Sequence, residues 1–511
     1  MSTWLKDAVF YEIYPNSFVD ANGDGYGDFK GITSKLDYIK ELGCNAIWLN
    51  PHYDSPFMDG GYDVRDYFKV SDRFGTEEDF DEFIKTAHAK GIKVILDLVP
   101  GHTSEQNADF LRSAEPTPNE MYDRFIWTNH EWHFPEGFKA ISGRHDRQGN
   151  YIVNFYSIQP ALNYGFNEIT DPSWQMPYTS DAAKKTREWL KSVMRFWLDR
   201  GADGFRVDMA DSLVKNDLSQ SEKPATSEIW QDIRAMLDSE YPDAVLVSEW
   251  SNPQAIRAGF HADFMLDHHG NPYNLLVRAE EEPNKHSYFA ADGGGDAQAF
   301  ATGFTEVYEA VKGKGSIALI SCNHDTPRLA PNYTQEQLKL IYATLFTLPG
   351  VPFIYYGDEI GMKYIKGLPS VEGGYGRTGS RTPMQWNTAV NAGFSTADRT
   401  FLPTETDKIV NVASQQKDKK SLLNFLKDFL AFRRRNKQFT SDELEFLHAE
   451  GSEPLVYKRG DLTVVVNPLK VKQTAPVTLP AKAKAVYVVG KEAKKLKDGI
   501  AVPPLSLTIF N

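Results

Sequence analysis

The sequence predicts an α/β protein: a (β/α)8 TIM barrel with a small domain inserted after strand three and an all-β domain at the C-terminus. Short runs rich in Val, Ile and Phe alternate with longer amphipathic segments through most of the chain, the pattern of βα units around a parallel sheet. Eight such runs occur, the number that closes a barrel. After residue 437 the pattern changes to strand-like alternation separated by Lys-rich turns.

The eight predicted strands are AVFYEIYP (8–15), AIWLNP (46–51), KVILDLV (93–99), GFRVD (204–208), AVLVSEW (244–250), DFMLD (263–267), SIALISCNHD (316–325) and PFIYYGDE (352–359). Helical patterns lie between them. Residues 32–42 end at Gly43 and residues 78–90 at Gly91, each with glycine where a helix is best stopped. About 70 residues separate the third strand from the next helix, against roughly 2 to 6 for an ordinary βα loop, so a separate unit is expected there. It is rich in aromatics such as Trp127, Trp132, Phe155 and Tyr156. A helix near residues 422–435 ends in Arg433, Arg434 and Arg435, read as a solvated or dipole-stabilising cluster. The expected division is barrel 1–102, insert 103–172, barrel 173–437 and β domain 438–511.

Composition bounds the function. The 511 residues exceed the size that one core usually serves, and 69 acidic against 56 basic side chains give a net charge of -13. That balance argues against a nucleic-acid backbone or an anionic membrane as the main partner and favours a neutral substrate. Cys44 and Cys322, the two cysteines, lie in apolar strand-like runs, which argues against a disulfide framework and points to the cytoplasm. No secretory leader is read at the N-terminus, and no apolar stretch approaches the roughly 18 residues of a membrane span. Oligomeric state is not legible.

Three carboxylates end barrel strands: Asp208 the fourth, Glu249 the fifth and Asp325 the seventh. Loops at that end converge over one face, where barrel enzymes do chemistry. Buried acids cost several kcal/mol unless paired or used. Arg206, two residues before Asp208, and His324, beside Asp325, are the available partners. Retaining glycoside hydrolysis needs two carboxyl groups about 5 Å apart, which adjacent strands can supply. The competing reading is a set of rim acids held in structural salt bridges.

Residues 20–28 read DANGDGYGD. Asp20, Asn22 and Asp24 occupy positions one, three and five, the Tyr26 carbonyl position seven and Asp28 position nine, an oxygen set suited to a hard cation such as Ca²⁺. An EF-hand is not expected, because position twelve is Gly31 and the loop follows a strand.

The chain resembles the α-amylase family, glycoside hydrolase family thirteen, through GYDV at Gly61, DLVPGH at Asp97, GFRVDMAD at Gly204, VSEW at Val247, NHD at Asn323 and YYGDEIGM at Tyr355. The resemblance implies Asp208 as nucleophile, Glu249 as acid/base and Asp325 as the acid that grips sugar hydroxyls. Arg206, His102 and His324 would be their close partners and Tyr62 the aromatic platform under the glucose ring. The loop at 20–28 is similar to the calcium loop of the family's oligosaccharide-specific members, implying structural Ca²⁺, with Mg²⁺ the alternative. A second family calcium site, between barrel and insert, is expected to be absent, since Gly101 and Ala161 stand where ligands are usual.

GSRTPMQW at Gly379 resembles the α-glucosidase and trehalose-synthase side of the family, where the arginine, here Arg381, pairs with the aspartate of GYDV, here Asp63. A charge pair at the pocket floor implies exo action on a short oligosaccharide or disaccharide. The expected activity is a retaining α-glucosidase acting on α-1,4 or α-1,6 bonds. Met209 after the nucleophile matches neither linkage pattern of related enzymes, and glucosyl transfer or disaccharide isomerisation is the alternative. A non-catalytic scaffold on this fold is disfavoured, because all three acids are present.

Overall fold

The computed structural model describes residues 4–217, 222–266, 271–278, 286–290 and 293–511. Residues 1–3 and Asp267, the last residue of the sixth predicted strand, lie outside them.

All eight predicted runs overlap barrel strands: β1 Phe10–Ile13, β2 Ala46–Leu49, β3 Lys93–Leu98, β4 Gly204–Val207, β5 Val245–Ser248, β6 Ala262–Phe264, β7 Ser316–Ile320 and β8 Val351–Tyr355. They pair in parallel in chain order, and β8 closes the barrel on β1 with Phe10 opposite Phe353 and Glu12 opposite Tyr355. The strands are buried on both faces, which is why they read as continuous apolar runs. Phe10 stacks on Phe353 at 4.2 Å, and Trp48, Phe264 and Phe353 pack together, so the interior is a filled core.

The first predicted helix is two, Phe29–Ser34 and Leu36–Leu42, broken at Lys35. Asp28 caps the first by accepting from the Gly31 amide, and Gly43 ends the second in the left-handed region. The second predicted helix spans Glu77–Ala89 and opens on a capping box at Thr76. The helix Leu422–Arg435 forms as expected, but its terminal arginines are not all solvated. Arg433 is buried and donates to the Phe346 and Gly350 carbonyls, tying the helix to the segment that leads into β8.

Between β3 and the helix Asp181–Asp199, the chain forms a helix Ala108–Ser113 and a hairpin of Ala140–Ile141 with Tyr151–Ile152. Ile126, Ile152, Ala161, Phe166 and Trp174 make a small core of their own. Bridges from His102 to Ala161 and from Phe166 to Lys215 fasten this segment over the C-terminal ends of β3 and β4. The C-terminal region has a five-stranded antiparallel sheet and a three-stranded one. Among the described residues, no helix is long and apolar enough to cross a membrane.

Candidate active site

The register of β4 and β5 decides the first relation in the site. Arg206 lies opposite Val247 and Val207 opposite Ser248, so Asp208 and Glu249 leave adjacent strands side by side. Neighbouring strands lie about 4.8 Å apart, the spacing that two cooperating carboxyls need. The Asp208 amide donates to the Leu98 carbonyl and the Glu249 amide to the Val207 carbonyl, which holds both backbones to the barrel rim.

One buried guanidinium serves both acids. Arg206 Nη1 lies 2.8 Å from Asp97 and 3.1 Å from Asp208 Oδ1, while Nη2 lies 2.7 Å from Glu249 Oε2. Glu249 Oε2 also accepts from the Met209 amide at 2.9 Å. Met209 makes that contact at φ 41°, a left-handed conformation costly for a non-glycine residue and typical of functional sites. Burial, then the charge of Glu249, raise the Asp208 carboxyl well above the ordinary range, with Arg206 opposing.

Asp325 is held differently. Burial opposes its ionisation, but His324, Arg377 and Arg381 outweigh it and hold the carboxyl well below the usual range. Its Oδ1 accepts from Arg377 at 2.9 Å and Arg381 at 2.8 Å, and its Oδ2 lies 3.1 Å from His324 Nε2. His324 is wedged between this carboxylate and Glu12, 2.8 Å from Nδ1; burial disfavours its charge, yet the two acids raise its pKa. Tyr62 stacks on the His324 ring at 5.3 Å, and its hydroxyl donates to Asp97 at 2.9 Å.

His102 meets the Tyr62 carbonyl through Nε2 at 3.2 Å and Asn154 through Nδ1 at 3.3 Å. Burial, with Lys215 adding to it, drives its pKa down to about 3, so it is a neutral imidazole. These groups converge on a cavity of about 100 Å³ lined by Asp59, Tyr62, His102, Asp208, Glu249 and Asp325, with Phe155, Met209 and Arg377 completing it.

The expected Asp63–Arg381 pair is not made. Asp63 is fully buried and accepts from the Met58 and Asp59 amides and from Ser55. Arg381 instead donates to the His324 carbonyl and to Asp325. The charge pair in the pocket wall is Asp59 with Arg377, at 3.1 Å, and Gln159 donates to the other Asp59 oxygen at 2.8 Å. The reason is the turn between the two aspartates. Gly60 at φ 57° and Gly61 at φ 103° reverse the chain, so Asp59 faces the cavity and Asp63 folds back onto the loop.

The chain matches the alpha-amylase catalytic-domain model over residues 12–442. The chain belongs to the alpha-amylase family. As a member, it is a glycoside hydrolase. It is 33% identical over 508 residues to the trehalose synthase/amylase TreS of Mycolicibacterium smegmatis, covering 90% of this chain and 81% of that one. It is 30% identical over 551 residues to the glucan 1,6-alpha-glucosidase of Streptococcus pneumoniae, covering 98% of both. Among solved structures, the isomaltulose synthase of Erwinia rhapontici in complex with sucrose superposes with a TM-score of 0.84 at 26% identity, covering 99% of each chain.

In this alpha-amylase family chain the acidic loop lies on the β1 side, apart from the cavity lining. Asp20 accepts from the Gly23 and Gly25 amides and from Ser395, and Asp28 from the amides of Ala21, Asn22 and Gly31. Asp24 accepts from the Tyr26 amide and from Asn22. Among the described residues no three His, Cys, Asp or Glu side chains gather as a metal-ligating group, this loop included.

Sequence reasoning missed Asp59, Arg377, Asp97, Glu12, Asn154 and Lys215. Asp97 and Glu12 carried a signal, as charged residues inside otherwise apolar strand runs. Asp59 carried a weaker one, directly before the Gly-Gly turn into Tyr62.

Proposed function

We propose that this chain is a retaining, exo-acting α-glucosidase that hydrolyses short α-gluco-oligosaccharides, α-1,4 or α-1,6, from the non-reducing end. The observation that carries this is the wall built by Arg377, which joins Asp59, Asp325 and the Tyr156 hydroxyl across one side of the cavity. A glucose whose anomeric carbon meets Asp208 then has its far hydroxyls against Asp325 and this wall, with no passage for another sugar.

In the first step an Asp208 oxygen attacks the anomeric carbon as the glycosidic bond breaks and the proton of Glu249 passes to the leaving oxygen. Arg206, bonded to both acids, holds them in register and balances their charge. In the second step Glu249, now a carboxylate, takes a proton from water, whose oxygen displaces Asp208 from the sugar. Asp325, kept ionised, binds sugar hydroxyls, and Tyr62 offers the ring face beneath them.

A second reading, glucosyl transfer or disaccharide isomerisation, is favoured by one feature. Beyond Met209 an open depression of about 500 Å³, lined by Lys139, Asn154, Ser212 and Lys215 together with Phe138 and Val153, offers room for an acceptor sugar. Incubation with maltose, isomaltose, sucrose, trehalose and longer glucans, with products resolved by chromatography, separates the two. Free glucose released in the α configuration supports hydrolysis; a new disaccharide as main product overturns it.

The loop of residues 20–28 we assign to a structural divalent cation, Ca²⁺ before Mg²⁺. Its donors are all oxygens, and backbone amides already orient the Asp20 and Asp28 carboxylates. The buried free thiols of Cys44 and Cys322 support a cytoplasmic setting.

A further inference from the structure

We propose that Lys215 is a positioning residue: through Asn154 it fixes His102 as the neutral tautomer that carries its proton on Nε2. The chain of contacts runs from the loop after β4, through the insert, to the catalytic cavity. Lys215 Nζ lies 2.8 Å from Asn154 Oδ1 and 2.7 Å from the Ser212 carbonyl. Asn154 Nδ2 lies 3.3 Å from His102 Nδ1 and 3.2 Å from Ser212 Oγ.

Two independent constraints give the same answer. An ammonium can only donate, so the Asn154 atom facing Lys215 must be the carbonyl oxygen, and its NH₂ must face His102. A donor facing Nδ1 requires a lone pair there. At the other side of the ring, the Tyr62 carbonyl can only accept, so Nε2 must carry the hydrogen. The Tyr62 carbonyl alone would admit both this neutral tautomer and the imidazolium, and the Asn154 donor at Nδ1 excludes the second. Lys215 is lowered to about 8 by burial and by Lys223, with Asp211 opposing, so it is the ammonium at neutral pH.

The consequence is a cavity wall with a fixed, uncharged imidazole near Asp208, its one N–H held by the Tyr62 carbonyl. A neutral ring leaves the nucleophile's charge unstabilised, whereas a cationic imidazolium would stabilise it at the expense of its reactivity. The same amide ties the insert to the barrel, since Asn154 follows the hairpin strand Tyr151–Ile152 and Lys215 bridges to Phe166. Docking of the insert and the protonation of His102 at Nδ1 are therefore linked through one side chain, Asn154.

The experiment uses the full chain with ¹⁵N-labelled histidine, the His102 ring signals being assigned by their loss in His102→Gln. The wild type is expected to show the proton on Nε2 and a lone pair on Nδ1. Asn154→Asp keeps an oxygen acceptor for Lys215 but offers His102 only an acceptor, so Nδ1 should become protonated and KM rise about tenfold, because the ring then either gains a positive charge or loses its bond to the Tyr62 carbonyl. Lys215→Arg, which still only donates, should preserve the wild-type ring pattern, whereas Lys215→Met should let the amide turn and admit a proton to Nδ1. A wild-type ring protonated on Nδ1 overturns the proposal, as does an Asn154→Asp ring pattern unchanged from wild type. The kinetic arm rests on the cavity being the sugar site, but the ring signals do not. A ring change without a KM change therefore indicts the functional reading and leaves the positioning role standing.

Discussion

At Asp208 and Glu249, two carboxyl groups leave neighbouring strands behind a single guanidinium, and that geometry governs how Asp208 titrates. Burial comes first and the charge of Glu249 second in raising the Asp208 carboxyl. Attack needs the ionised form. Activity should therefore fall as pH drops through this raised value, giving kcat/KM an acid limb above the range of a free aspartate. Glu249→Gln removes the second cause. On a substrate whose leaving group needs no protonation, the acid limb should move to lower pH, while turnover of a natural disaccharide falls about 10² to 10⁴-fold. Azide, which needs no general base, should restore the second step. An acid limb that stays in place would show that Glu249 is not the neighbour that sets it.

Loops rather than strands build the pocket wall, and here legibility from sequence ended. The three acids at strand ends were readable because apolar runs that terminate in a carboxylate place it at the barrel mouth. Asp59 and Arg377 were not, since their meeting depends on a two-glycine reversal and on the course of the segment after β8. The split at Lys35 was equally hidden, because residues on both sides keep helical spacing and the break lies in the backbone alone. The wall predicts its own test. Arg377→Ala removes ion pairs to Asp59 and Asp325, so kcat/KM on disaccharides should fall about 10²-fold from lost positioning. The ratio of long-glucan to disaccharide turnover should rise as the end opens; an unchanged ratio would contradict a closed pocket. For the loop of residues 20–28, millimolar Ca²⁺ should raise Tm by mass action and Asp24→Asn should abolish that rise, with kcat unaltered in both. Differential scanning fluorimetry reads it, and a Tm indifferent to Ca²⁺ and to chelator would remove the metal assignment.

Across the whole molecule, the C-terminal sheets are joined to the barrel by a buried arginine rather than by apolar packing alone. Arg459 is fully buried and donates to the carbonyls of Thr347, Glu443 and Ser441, so it links a C-terminal strand to the segment before β8. Tyr457 reinforces the seam through the Thr347 hydroxyl at 2.6 Å. Burial lowers the Arg459 pKa to about 10, with Tyr457 and Tyr308 opposing, so the side chain stays charged at neutral pH and its hydrogen bonds are charge-assisted. Removing such a donor leaves several buried carbonyls without their partner, a cost of about 3 kcal/mol. Unfolding entropy of about 2.1 cal/mol/K per residue over 511 residues makes the whole chain lose about 1 kcal/mol per degree near its midpoint. Arg459→Met should therefore lower Tm by about 3 °C if barrel and sheets unfold as one unit. The seam argues for one unit, because the same arginine also holds Gln438 and Phe439 at the exit of the last barrel helix. Calorimetry should show a single transition displaced downward, with kcat/KM unchanged because the cavity lies elsewhere in the barrel. Two resolved transitions, the first moved far more than 3 °C, would show instead that the C-terminal sheets unfold independently.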